Sequence, residues 1–136
     1  QPGFGLWQGA QCWVAAAGDD LHRCEALLAA LDDGEVLPHT MAWAAAVYAV
    51  ARAAVRLGDT HRCETVHALL RPHANLMAWF GDGVYGPIAL ALADLELVLG
   101  RQDEARASLQ TAQRLVDRLY APVFQWEIDG LAARLS

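Results

Sequence analysis

At 136 residues the chain has the length of one domain, and a domain of that size buries enough surface that its core needs no disulfide or metal staple. Ten fixed cations against 16 carboxylates leave a net charge of −6, which excludes a nucleic-acid surface held by general positive charge. The hydrophobic fraction is 55%, much of it alanine, while charged residues make up only 19%. That balance favours close-packed helices and a surface partly covered by neighbours, as expected of a piece of a longer protein.

The start, Gln1-Pro2-Gly3, has neither a basic region nor a cleavage motif, so it does not read as a signal peptide. Cys12, Cys24 and Cys63 are odd in number and lack paired spacing, so the expectation is reduced, buried thiols in a cytoplasmic protein. The longest apolar run, Met41 to Ala51, is too short to span a bilayer and soon meets Arg52 and Arg56. All fixed cations are arginine, a usage that points to a GC-rich, actinobacterial genome.

An internal repeat organises the chain. Gly18-Asp19-Asp20-Leu21-His22-Arg23-Cys24-Glu25, Gly58-Asp59-Thr60-His61-Arg62-Cys63-Glu64 and Gly100-Arg101-Gln102-Asp103-Glu104-Ala105 share one pattern. The glycines match the His-Arg-Cys-Glu copies to within one residue. Each glycine should end one helix in the left-handed conformation, and Asp19 or Asp20, and Asp59 or Thr60, should cap the next. Pro87 and Pro122 suit first helical turns.

Helices are therefore predicted near 4–17, 20–31, 39–57, 60–72, 87–99, 102–119 and 123–135. The apolar stripes Leu92, Leu95, Leu99 and Leu109, Ala112, Leu115, Val116, Leu119 support the pairing. No strand competes, and 73–86 reads as a long aromatic loop. The predicted fold is all-α: a single TPR-like stack of antiparallel helical hairpins near 4–31, 39–72 and 87–119, closed by the helix 123–135. That makes about seven helices, with units longer than the usual TPR repeat.

From about Trp43 onward the chain resembles the C-terminal helical region of actinobacterial LuxR-type transcriptional regulators and related ATPase or cyclase-like signalling proteins. The residues carrying this are Leu69-Leu70-Arg71-Pro72-His73-Ala74, Tyr85-Gly86-Pro87-Ile88-Ala89, Leu99-Gly100-Arg101-Gln102-Asp103-Glu104-Ala105, Leu119-Tyr120-Ala121-Pro122 and Leu131-Ala132-Ala133-Arg134-Leu135. The resemblance implies that nucleotide- and DNA-binding modules lie outside this region. A phosphate-binding loop ending in Gly-Lys-Ser/Thr is impossible in a chain without lysine.

Chemistry-bearing patterns are few. His22 and Cys24, like His61 and Cys63, diverge around a helix. Cys63 and His67 share a face, but two ligands do not make a site. Cys24 and Cys63 are read as filling the small-residue slot that Ala105 fills later. Cys12 has no evident general base. Asp94 and Glu96, or Asp103 and Glu104, read as solvated helix faces or caps, and Asp82 as a turn residue. Trp7, Trp13, Trp43, Trp79 and Trp126 read mostly as wedges between small-residue helices.

The expected function is a non-catalytic scaffold, with no cofactor and no metal, for protein–protein interaction or effector sensing in a cytoplasmic regulator. Its partner is another protein, another domain of the parent or a second copy, not nucleic acid or membrane. First helices of stacked hairpins line the concave surface, which places Tyr48, Arg52, Arg56, Leu90, Asp94, Trp126 and Asp129 on a candidate groove. Trp79, Phe80, Asp82 and Tyr85 form a candidate interaction loop. The alternatives are a small-molecule sensor with ligand in the concave groove and, behind it, a metal- or thiol-dependent enzyme.

Overall fold

The computed structural model describes residues 11, 14–15, 17–32, 43–80 and 83–136. They form an all-α fold with one small sheet. The elements are α1 (Leu21–Asp32), α2 (Trp43–Leu57), α3 (Thr60–Leu70), a 3-10 turn (Arg71–His73), β1 (Met77–Phe80), β2 (Gly83–Pro87), α4 (Ile88–Val98), α5 (Gln102–Leu119), a second 3-10 turn (Pro122–Phe124) and α6 (Gln125–Leu135). Residues 11, 14–15 and 17 are also helical. Trp7, Cys12, Trp13, Asp82 and most of the predicted helix 4–17 lie outside the described residues.

Repeat chemistry is visible at the turns. Gly58 and Gly100 take φ of 65° and 75°, as expected of left-handed helix caps. The first unit departs from the expectation: the residue with positive φ is Asp19, at 58°, not Gly18. Backbone bonds of one kind close all three turns, from Asp20 N to Ala15 O (2.9 Å), Asp59 N to Ala54 O (3.2 Å) and Arg101 N to Glu96 O (2.8 Å). Asp19 is separated from Gly58 by the same interval as Cys24 from Cys63, so the one-residue mismatch in the sequence repeat disappears. The carboxylates of Asp20 and Asp59 then cap α1 and α3 alike, accepting from Arg23 N and Arg62 N at 3.1 Å each. Cys24, Cys63 and Ala105 occupy equivalent, fully buried positions.

The first helices are enclosed. On α2, Ala45, Ala46, Val47, Tyr48, Ala49, Val50, Ala51, Ala53 and Ala54 are all buried, and on α4 every residue from Ile88 to Glu96 is buried. A helix apolar on nearly all sides belongs inside a fold, and alanine lets its neighbours come close. Helix α4 divides the core: Ile88, Ala91, Leu92 and Leu95 pack with α2 and α3, while Ala89, Leu90 and Ala93 pack with α5 and α6. Helices α2, α4 and α6 contact one another in series, and each of α2–α3, α4–α5 and α5–α6 packs as neighbours across a short turn.

The segment read as a long loop contains an antiparallel hairpin, β1–β2. Met77 pairs with Pro87, Ala78 with Gly86, Trp79 with Val84 and Phe80 with Gly83, leaving Tyr85 as an unpaired bulge. The bulge turns both Tyr85 and Gly86 toward the buried Tyr48. The Tyr85 and Tyr48 rings meet edge-on at 6.5 Å. Gly86 has φ of 148°, and a Cβ there would lie 2.5 Å from Tyr48 Oη.

Two outcomes test these local arguments. Gly86→Ala should lower stability by about 1–3 kcal/mol through overpacking against Tyr48, read by denaturant unfolding. The Arg62 backbone N–H, bonded to Asp59, together with the nearby guanidinium holds the Asp59 carboxyl below its ordinary value. Its stabilisation is therefore present above about pH 4 and lost as pH falls through the lowered value. Asp59→Ala should cost about 1 kcal/mol at neutral pH, with variant and parent converging in acid.

Candidate interaction surface

Three helices meet at one arginine. Arg52 of α2 donates through Nη1 to Asp94 Oδ2 on α4 at 3.0 Å and through Nη2 to Glu127 Oε2 on α6 at 2.7 Å. Arg134, also on α6, lies 3.6 Å from the other Asp94 oxygen. Burial raises the Asp94 carboxyl, and the flanking arginines only partly offset it. Burial lowers Arg52, but Tyr48, Glu127 and Asp94 together outweigh that and leave it raised. Tyr48, one turn before Arg52, is pushed well above the ordinary phenol range by burial first.

The structure thus brings together Arg52 and Asp94 from the predicted groove and moves Tyr48 and Leu90 out of it. Tyr48 and Leu90 are 1% and 0% exposed, so they are core residues and not groove lining. Asp94 and Glu96, read from the sequence as solvated positions, are both buried and paired. Arg56 is exposed and pairs with Asp19. Trp126 is exposed, and Asp129 accepts from Gln125 at 2.9 Å, outside the ion cluster. Glu127 and Arg134 were missed. They sit a heptad apart on the Leu131 face of α6, whereas Asp129 is roughly 200° around the helix from Glu127.

A second feature is apolar. Met77, Trp79 and Val84 on the outer face of the hairpin meet Leu119, Ala121, Val123 and Phe124 around a groove of about 340 Å³, open to solvent. Trp79, Val84, Leu119 and Val123 are between 50% and 69% exposed, so the groove is lined by side chains that water still reaches. Ala121 is shared with a neighbouring hollow of about 380 Å³ between Val116, Asp117, Tyr120, Pro122 and Gln125. Tyr120, at 90% exposure, stands there in the left-handed conformation that ends α5. Of the predicted loop residues, Trp79 lines the groove, Tyr85 packs inward on Tyr48, Phe80 contributes backbone to β1, and Asp82 lies outside the described residues.

The thiols belong to the hydrophobic core. Cys24 and Cys63 are fully buried, and burial raises both, Cys63 to about 11. No helix among the described residues is long and apolar enough to cross a membrane.

The ion cluster predicts a non-additive pair. Arg52→Met should cost about 2 kcal/mol or more, because Asp94 is left buried without its main partner. Arg52→Met with Asp94→Leu should cost less than that single change. The Asp94 carboxyl is raised in the fold, so its ionisation weakens the fold as pH rises; acidification through the raised value should partly restore Arg52→Met. Urea titrations across pH measure both effects. The chain matches no protein-family model, no curated protein and no solved structure.

Proposed function

We propose that this chain is a non-catalytic, TPR-like recognition module of a cytoplasmic regulator, of the kind the LuxR-type resemblance implies. It holds a protein segment in the groove between the β-hairpin and the α5–α6 turn. The observation that carries this is the grouping of Trp79, Val84, Leu119 and Val123, all half or more exposed around one groove. Contiguous apolar surface of this kind marks interaction sites, and aromatic anchors concentrate binding energy. The occupant is a short segment from a partner or another domain, with an aliphatic or aromatic anchor flanked by basic residues. The net charge of −6 and the Asp117 carboxylate at the neighbouring hollow supply the complementary field. An open groove suits a peptide better than an enclosed small effector.

A peptide array scanned for anchor and flanking charge tests the reading. The intact chain should retain peptides with a basic-flanked apolar anchor, and Val123→Asp should weaken them by at least about tenfold. Retention unchanged by Val123→Asp would overturn the proposal, as would no selection on the array. So would concentration-dependent dimerisation through the same residues in sedimentation.

A further inference from the structure

A different cluster lies at the junction of α3, α4 and α5. His67 and Glu96 are both 5% exposed in their side chains, and Nε2 of His67 lies 2.9 Å from Oε1 of Glu96. Glu104, exposed in the first turn of α5, completes a group in which one ligand-type atom from each residue lies within 4.8 Å of the others. Oε2 of Glu96 is buried and has no hydrogen-bond partner. A carboxylate oxygen enclosed without a donor is costly, and a cation beside it removes that cost.

We propose that His67, Glu96 and Glu104 form a binding site for a divalent first-row transition metal of the Zn²⁺ type. One imidazole with two carboxylates is a nitrogen–oxygen donor set suited to such ions, whereas calcium and magnesium prefer oxygen alone. Donors around a tetrahedral zinc stand about 3.3 Å apart, close to the His67–Glu96 separation already present. Glu104 is the ligand that must move inward, and its exposure leaves it free to do so. Its present contact, Arg71 Nη1 at 3.6 Å, joins two exposed side chains and competes with the metal. Three protein ligands leave a coordination position for water. The bound ion fastens the end of α3 to the α4–α5 turn, so its role is a staple between successive hairpins.

Titration of the metal-free chain with Co²⁺, followed by displacement with Zn²⁺, tests the assignment. The expected result is visible ligand-field absorption without a near-ultraviolet thiolate band, together with a rise in Tm. Glu104→Gln, on the surface, should weaken binding at least about tenfold without changing the metal-free Tm. Arg71→Gln should tighten it by removing the competing cation. Absence of binding, a thiolate band, or affinity indifferent to Glu104→Gln would each overturn the site, whatever becomes of the peptide groove. His67→Gln and Glu96→Gln disturb buried groups, so Glu104 carries the test.

Discussion

Arg52 is the point on which the packing of this chain depends. Helices α2 and α4 are enclosed by neighbours and largely built of alanine, valine and leucine. Such surfaces pack closely but discriminate poorly between registers, because many alanines present the same profile. A guanidinium with two fixed carboxylate partners does discriminate. Sliding α4 by one turn would bring Leu90 or Val98 opposite Arg52 in place of Asp94, leaving charges enclosed without partners. Partly buried ion pairs add little net stability. Here the pairs fit one alignment of α2, α4 and α6, and apolar burial supplies the stabilisation.

The same helix sets the hairpin. Tyr48 lies one turn before Arg52, and β2 must pass close enough to its ring that only glycine fits at position 86. The bulge at Tyr85 lets two consecutive residues face Tyr48, and the strand recovers its alternation with Val84 opposite Trp79. An inward requirement therefore fixes an outward one. With Ala78 buried on the inner face, Met77, Trp79 and Val84 are left to line the outer groove. Leu119, last in the apolar stripe of α5, supplies the facing wall because the left-handed Tyr120 ends the helix there.

How much of this was legible in the sequence depends on the range of each signal. Turn chemistry is local, so Gly58, Gly100 and the caps at Asp20 and Asp59 could be anticipated. Asp19 could not be told from Gly18, because glycine is the more ready occupant of the left-handed region. The hairpin was missed because four-residue strands are too short to show alternation, although Gly81-Asp82-Gly83 between aromatic runs is the type of signal that marks such turns. Arg52 and Asp94 could be aligned through the repeat. Glu127 and Arg134 share one face of α6, but only the tertiary placement of that helix beside Arg52 and Asp94 marks the face out. The burial of His67 is a tertiary fact, whereas Glu96 lies in an almost wholly apolar helix whose composition already points to enclosure.

Stacked helical hairpins commonly bind along the concave seam of their first helices; the proposed stacking would put Arg52 and Asp94 on such a seam, yet their charges are internally satisfied. Both Arg52 terminal nitrogens already donate to carboxylates, and each Asp94 oxygen faces an arginine. A ligand carboxylate entering there would displace one of these partners and leave it stranded, so its net gain would be small. The hairpin groove has the opposite balance. Its walls are hydrocarbon and aromatic surface still in contact with water, and covering them breaks no existing ion pair. The proposed recognition therefore falls at the groove, and the ion cluster ties together helices that position its two walls.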